Sequence, residues 1–334
     1  MTAGKGRNLL KTLPGLLVSA FFLWYTFRNI HLAEIRALRF VQPVWIGGVL
    51  VFTLASYTLR CVRWTRMMRS TGARFRVCAR VLMTSLAANN ILPLRIGDIM
   101  RVFTYADDLG TSPSVILSTV ILEKLLDIFM LVLLFVLTMG AGISPHFKLL
   151  AKLTLVISIA GILTLLLGAR LLKAPFSRLI TRLPQRPILA KLEHWILLAL
   201  DCLSDIGVAG SILLLIQSAV IWTCEGMIFV SAAHLIGLVT DGIGPWQAVS
   251  ATNLSYLIPS SPGAIGTFEM AAKASLVSHG APPAQSALFG LALHAWLLIS
   301  VTGAGGLIFL LHRARSHNHK RLLEEIETLP VELP

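Results

Sequence analysis

Nine charged residues stand inside otherwise apolar stretches of this chain, and they are its clearest candidates for chemistry. Arg95, Asp98 and Arg101 lie at or just after a break in one apolar region. Glu123, Lys124 and Asp127 sit within another, Glu225 is in the middle of a third, and Glu269 and Lys273 follow a second break. In a bilayer each costs about 2.5–3.5 kcal/mol or more at a helix centre, so such residues generally belong to binding sites or to charge pairs. Glu123 and Asp127 are four apart and share a helix face, Lys124 is three from Asp127, and Glu269 and Lys273 form an i,i+4 pair. Structural salt bridges are the plainer reading of these sets, and a charged cavity is the sharper one.

The breaks supply further groups. Asn90 precedes the first. Ser260, Ser261 and Thr267 offer hydroxyls at the second. Helices leaving the breaks near Ile96 and Gly263 would aim their N-terminal N–H groups inward, a good seat for an anion. Gly97 and Gly266 would let backbone approach a ligand. A phosphate-bearing head group suits such a site, although the same polar groups could simply satisfy broken backbone. Arg63-Trp64, with Arg66 and Arg69, reads first as an interfacial anchor for anionic lipid and second as a specific head-group site.

These residues need a membrane to make sense. Of 334 residues, 55% are hydrophobic and 13% charged, against about 25% charged in soluble domains. The net charge of +13 sits in blocks between apolar stretches, which argues for cytoplasmic loops and against nucleic acid as a partner. Cys61, Cys78, Cys202 and Cys224 show neither zinc nor disulfide spacing. His317 and His319 read as part of a solvated tail, and no cofactor is expected. The basic N-terminus and the run Leu13–Phe27 read as a retained span, because the apolar stretch continues past the poor cleavage site at Val18-Ser19-Ala20.

The expected fold class is an all-α polytopic membrane protein with six full spans plus two re-entrant helical hairpins. The spans are Leu13–Phe27, Pro43–Val62, Pro113–Gly140, Leu149–Leu172, Ala209–Leu238 and Pro283–Leu311. The hairpins are Val77–Leu109, broken at Asn89–Asp98, and Trp246–His279, broken at Ile258–Gly266. Each hairpin half is about a dozen residues, too short to cross. Residues 173–206 read as a cytoplasmic linker with an interfacial helix near Leu189–Cys202. Residues 313–334 read as a polar, mobile cytoplasmic tail. Basic blocks at Lys5–Lys11, Arg60–Arg80, Arg170–Lys191 and Arg313–Arg321 then share one face. By the positive-inside rule that face is cytoplasmic, as are both termini, in a cell inner membrane.

The two interrupted regions resemble each other. Both end in Gly-x-x-Pro, Gly110 to Pro113 and Gly280 to Pro283, and a long apolar helix follows each time. The preceding spans arrive at opposite faces, so residues 43–140 and 209–311 read as an inverted-topology repeat, which points to a transport site near the midplane. Counted from the two prolines, Lys124 and His294 are equivalent and are expected to face one cavity from both halves.

Four motifs carry a family resemblance: Arg60-x-x-Arg63-Trp64; Asn90-x-x-Pro93-x-Arg95-x-Gly97-Asp98-x-x-Arg101; Glu123-Lys124-x-x-Asp127; and Ser261-Pro262-Gly263-Ala264-Ile265-Gly266-Thr267-Phe268-Glu269. They resemble the transmembrane, flippase-like region of lysylphosphatidylglycerol synthases over roughly Leu10–Leu311. Lys124 stands where the family usually has arginine, keeping the charge and losing the planar fork. The resemblance implies translocation of a phospholipid or a polyisoprenyl-linked or hopanoid-type lipid. These residues include no aminoacyltransferase domain, so it does not specify an aminoacyl lipid. In that reading Arg95 and Arg101 hold phosphate, and Glu123, Asp127 and Glu269 balance charge or carry a proton.

Two other classes stay open. An intramembrane enzyme is disfavoured because Arg95-Ile96-Gly97-Asp98 lacks the first glycine of an aspartyl intramembrane protease, and no His-Glu-x-x-His is present. An accessory subunit of a separate lipid-modifying enzyme is the other alternative, and a homo-oligomer is left open. The lack of a P-loop argues against ATP use by this chain.

Overall fold

The structure, a computed structural model, describes residues 3–28, 30, 39–92, 95–139, six single positions between 149 and 160, and 187–327. For 3–14, 187–196, 198–205 and 316–327 it describes backbone alone. Pro93, most of the expected span 149–172, the linker up to 186 and the tail beyond 327 lie outside the described residues.

Every described element is helical. The main helices are α1 (Ala3–Phe27), α2 (Trp45–Met67), α3 (Phe75–Ile91), α4 (Ile96–Phe103), α5 (Ala106–Leu109), α6 (Pro113–Thr138), α7 (Pro187–Leu235), α8 (Gly244–Ser255), α9 (Thr267–Ser278) and α10 (Pro283–Glu327). Among the described residues, three stretches are long and apolar enough to cross a membrane: Trp45–Met67, Ile206–Leu235 and Pro283–Arg315. The 26 residues of α6 have the length too, but carry Glu123, Lys124 and Asp127 at mid-helix. Leu50, Val51 and Leu54 on α2, Ile212, Ile216 and Val220 on α7, and Ile299, Leu307 and Leu310 on α10 are exposed. That outward apolar surface suits hydrocarbon as solvent.

Both interrupted regions fold as helix, break, helix, with the two arms packed together. The arms are not all a dozen residues. The first is 17 residues long in α3, while the return is split into α4 and the single turn α5. Each region ends on a left-handed glycine, Gly110 at φ 62° and Gly280 at φ 84°, and a proline then opens the next helix. Glycine adopts that φ without a Cβ clash, and proline loses no hydrogen bond in a first turn.

The packing repeats as well. Helices α2, α3, α4 and α6 correspond to α7, α8, α9 and α10. Under that exchange α10 on α3 matches α6 on α8, α2 on α3 matches α7 on α8, and α4 on α6 matches α9 on α10. The leading helices α2 and α7 pack on each other and run antiparallel. Trp45 stacks on His234 at 4.8 Å, Ser56 meets Glu225 at 2.8 Å, and Arg63 meets Ser218 at 2.8 Å. Each unit has its own core. The first gathers around Trp64, Met68, Leu82, Ile116 and Leu122, and the second around Phe229, Phe268, Leu276 and Phe289.

Two boundaries differ from expectation. The interfacial helix placed at Leu189–Cys202 is the start of α7, which continues through a kink at Gly207 (φ 74°, ψ 172°) into the apolar stretch. The polar tail from residue 313 begins as an extension of α10, because nothing in His312–Glu327 breaks a helix.

Candidate functional site

The charges inside α6 are held by partners on other helices. Arg101 is fully buried, forks onto Glu123 at 3.0 and 3.2 Å, and also meets Asp98 at 3.2 Å. Lys124 closes this set at 3.3 Å from Asp98 and 3.5 Å from Glu123. The Arg101 guanidinium lies over Trp64, 5.0 Å from the ring centroid. Two bonds to one carboxylate and a ring face satisfy much of a buried guanidinium. Asn89 Oδ1 accepts the Asp98 N–H and so uses one of the orphan donors at the start of α4.

One turn along α6, Asp127 accepts from Arg63 at 2.8 Å and from the Trp222 indole at 3.3 Å. Arg63 also reaches Ser218. Arg60 lies 3.8 Å from Asp127 and 3.4 Å from Glu225, over the Trp222 ring, and Ser56 donates to Glu225 at 2.8 Å. In the second unit Glu269 binds His294 Nδ1 at 2.8 Å and accepts the Gly266 N–H at 2.7 Å.

Several expectations are thereby corrected. Lys124 pairs with Asp98 and Glu123, not Asp127, because Asp127 faces α2 and α7. Glu269 pairs with His294, not Lys273, whose ammonium donates to the Thr26 carbonyl at the end of α1. Arg63 and Trp64 are not a surface anchor; both are buried, and Trp64 donates to Thr119. The helix after the second break starts at Thr267 rather than Gly263, and the carboxylate at its N-terminus is Glu269's own. Gly97 and Gly266 serve helix packing. A Cβ on either would collide with backbone, the Ser85 carbonyl and the Ser19 carbonyl respectively.

The two breaks meet. The turn Pro262–Ala264 packs on α3, and a Cβ on Gly263 would lie 3.4 Å from the Asn90 carbonyl. Between them lies a cavity of about 630 Å³. Asn90, Arg95, Lys124, Asp127, Ser260, Ser261 and Gly263 of the expected site residues line it. Arg63, Asp98, Arg101, Glu123, Gly266, Glu269 and His294 do not; they stand behind the wall and fix it. His294 thus fails to face the cavity as Lys124 does.

Arg60, Tyr57, Trp222, Glu225 and Tyr256 also line the cavity. Arg60 shares a helix face with Ser56 and Arg63, and that i,i+3/i+4 polar stripe on an apolar helix was the available signal. Arg95 is exposed at the mouth, with its guanidinium 5.7 Å from the Tyr256 ring centroid and no acidic partner among the described residues. Leu257 and Ile258 line the cavity and are also exposed, so its polar floor is continuous with an apolar rim.

Fold and site together define a multi-pass, all-helical membrane protein with charged residues gathered between two broken helices. The family model for the lysylphosphatidylglycerol synthase TM region matches residues 13–305, and the chain belongs to that family. The family ties the protein to lipid handling. No curated protein and no solved structure matches the chain.

Proposed function

We propose that this chain moves a lipid or lipid-linked molecule with an anionic head group between the leaflets of the bilayer. The observation that carries the reading is the cavity at the junction of the two breaks. Its lining sets three cations, Arg60, Arg95 and Lys124, against two acids, Asp127 and Glu225; it is polar through Asn90, Ser260 and Ser261, and rimmed by exposed leucine and isoleucine. A phosphate head fits the floor, and acyl or isoprenoid tails fit the rim and the surrounding hydrocarbon. Both broken regions are read as re-entrant hairpins. Irregular backbone at membrane depth is tolerated where it lines a wet cavity, and broken helices in matching places of two inverted units mark transporter sites.

In this reading Arg95 makes the first contact, since no carboxylate among the described residues competes for it. Arg60 and Lys124, already bonded to carboxylates, then donate to the phosphate as well. Arg63, Arg101, Glu123 and Asp98 are positioning residues. The reading makes the protein a transporter rather than an enzyme: among the described residues its buried acids are engaged by arginine, lysine or histidine, and the Ser56 hydroxyl that meets Glu225 is itself buried and shares that carboxylate with Arg60. Its partner is a phospholipid or a polyisoprenyl-linked lipid.

The test is reconstitution into vesicles with head-group-labelled anionic and zwitterionic lipids. The native chain is expected to move the anionic lipid faster than empty vesicles do. Arg95→Ala should slow it about tenfold or more, since a charge-assisted hydrogen bond is worth about 1.5–3 kcal/mol. Equal rates in native, Arg95→Ala and empty vesicles would remove the proposal.

A further inference from the structure

The two units carry matching acid–base pairs of different chemistry. Asp98 is the third residue of α4, and Glu269 is the third residue of α9, the helices that leave the two breaks. Lys124 and His294 stand equally far after the prolines that open α6 and α10. The resulting pairs are Asp98–Lys124 at 3.3 Å and Glu269–His294 at 2.8 Å. The first holds a lysine. The second holds the side chain whose ordinary titration lies nearest neutrality.

The second pair is also the more deeply buried. The Glu269 side chain is 3% exposed and that of His294 is 1% exposed, and His294 Nε2 is buried with no hydrogen-bond partner among the described residues. The imidazole stacks on Phe268 with centroids 4.1 Å apart, and Phe268 lines the cavity. A single phenyl ring therefore separates His294 from the cavity. Among the described residues no other charged group is seated against the pair. From Pro283 to Leu311, α10 has no other charged residue, and α1 has none from Gly15 to Thr26. On α9, Lys273 is committed to the Thr26 carbonyl. On α8, Tyr256 meets Phe268 edge-on. Across the cavity, Arg95 lies over Tyr256, Lys124 and Asp127 are tied to other partners, and Glu225 on α7 is held by Ser56 and Arg60 of α2.

We propose that Glu269–His294 is a proton-binding site that couples the protein's movement to pH, an inference that rests on the transport reading above. Nδ1 stays protonated and bonded to Glu269 in both states. The proton is exchanged at Nε2, the ring nitrogen that Glu269 leaves free. It is taken from cavity water when Phe268 swings aside and returned to water later in the cycle. Loaded, the pair is an ion pair of no net charge, and the imidazolium faces the Phe268 ring favourably. Empty, Glu269 keeps the Nδ1–H and Gly266 N–H bonds at the start of α9 but loses its full countercharge, which weakens the seat of α9 and of the second break. The first unit has a lysine at the matching place and no imidazole, so the two units differ in chemistry.

Two measurements on the full chain decide it. In nanodiscs of phosphatidylglycerol and phosphatidylcholine with 15N-histidine, the imidazole signal absent from His294→Gln should change its 15N shifts between about pH 5 and 8. In vesicles of the same lipids, native movement of labelled phosphatidylglycerol should fall about tenfold as pH rises across that range. His294→Gln keeps a donor for Glu269 but cannot titrate, and its rate should be flat with pH. A His294 signal that does not titrate, or a His294→Gln profile as steep as the native one, overturns the proton site. If the native chain moves no lipid at any pH, the transport reading falls, and the ring's titration alone then decides the proton site.

Discussion

Two arginines of this chain show how far residue type is from residue role. Arg63 is 2% exposed and bound to Asp127 and Ser218, whereas Arg95 is exposed and lies over a tyrosine ring. Removing one partner of a buried ion pair costs about 3–5 kcal/mol, because the other charge is left stranded. Arg63→Ala should therefore lower the unfolding temperature in detergent markedly, and Arg95→Ala should leave it within the small range of surface changes, about 0.5 kcal/mol. If both unfold at the native temperature, the Asp127 cluster is not a structural tie. The sequence exposed every one of these charges, since a charge in an apolar run is conspicuous. It did not show which of them were already neutralised.

At the scale of elements, the hairpins depend on backbone approach. Gly97 on α4 lies against the Ser85 carbonyl and Asn89 of α3, and neither can retreat without opening the first hairpin. Overpacking of this kind costs about 1–3 kcal/mol. Gly97→Val should thus destabilise the protein and slow lipid movement. Gly47, in the exposed face of α2 with nothing within 4 Å, is the control: Gly47→Ala should leave thermal stability unchanged or raise it by up to about 1 kcal/mol. The positions of both breaks were legible from Pro and Gly, whose φ preferences are local. The length of α3 and the continuation of α7 back to Pro187 were not, because packing carried helix through segments that composition alone marks as linker or half-span.

At the scale of the molecule, the bases of the two hairpins are closed by similar clasps. Arg80 meets Asp108 at 3.0 Å in the first, and His279 meets Asp241 at 2.7 Å in the second. With inverted units these clasps lie on opposite faces. In a chain freed of its own cysteines, Arg69→Cys should react with an impermeant thiol reagent from the cytoplasmic side alone, and Asp241→Cys from the other side alone. Labelling of both from one face would discard the inverted arrangement. The expected six spans and two hairpins came from charge blocks between apolar runs. Helices α2 and α7 pack antiparallel, with matching contacts around each.

What the sequence determined by itself is whatever a single segment settles alone: an apolar helical solvent class, two breaks, a Gly-x-x-Pro opening after each, and charges too costly to be idle. Tertiary structure decided the pairings. Ser56 and Arg60 find Glu225 at separations of 169 and 165 residues, and Asn90 finds Thr302 across 212. Lys124 turned to Asp98 rather than to its near neighbour Asp127, and Glu269 to His294 rather than Lys273. A buried charge takes the partner with the best geometry in space, and only tertiary packing, within and between the two units, fixes which partners come within about 3 Å.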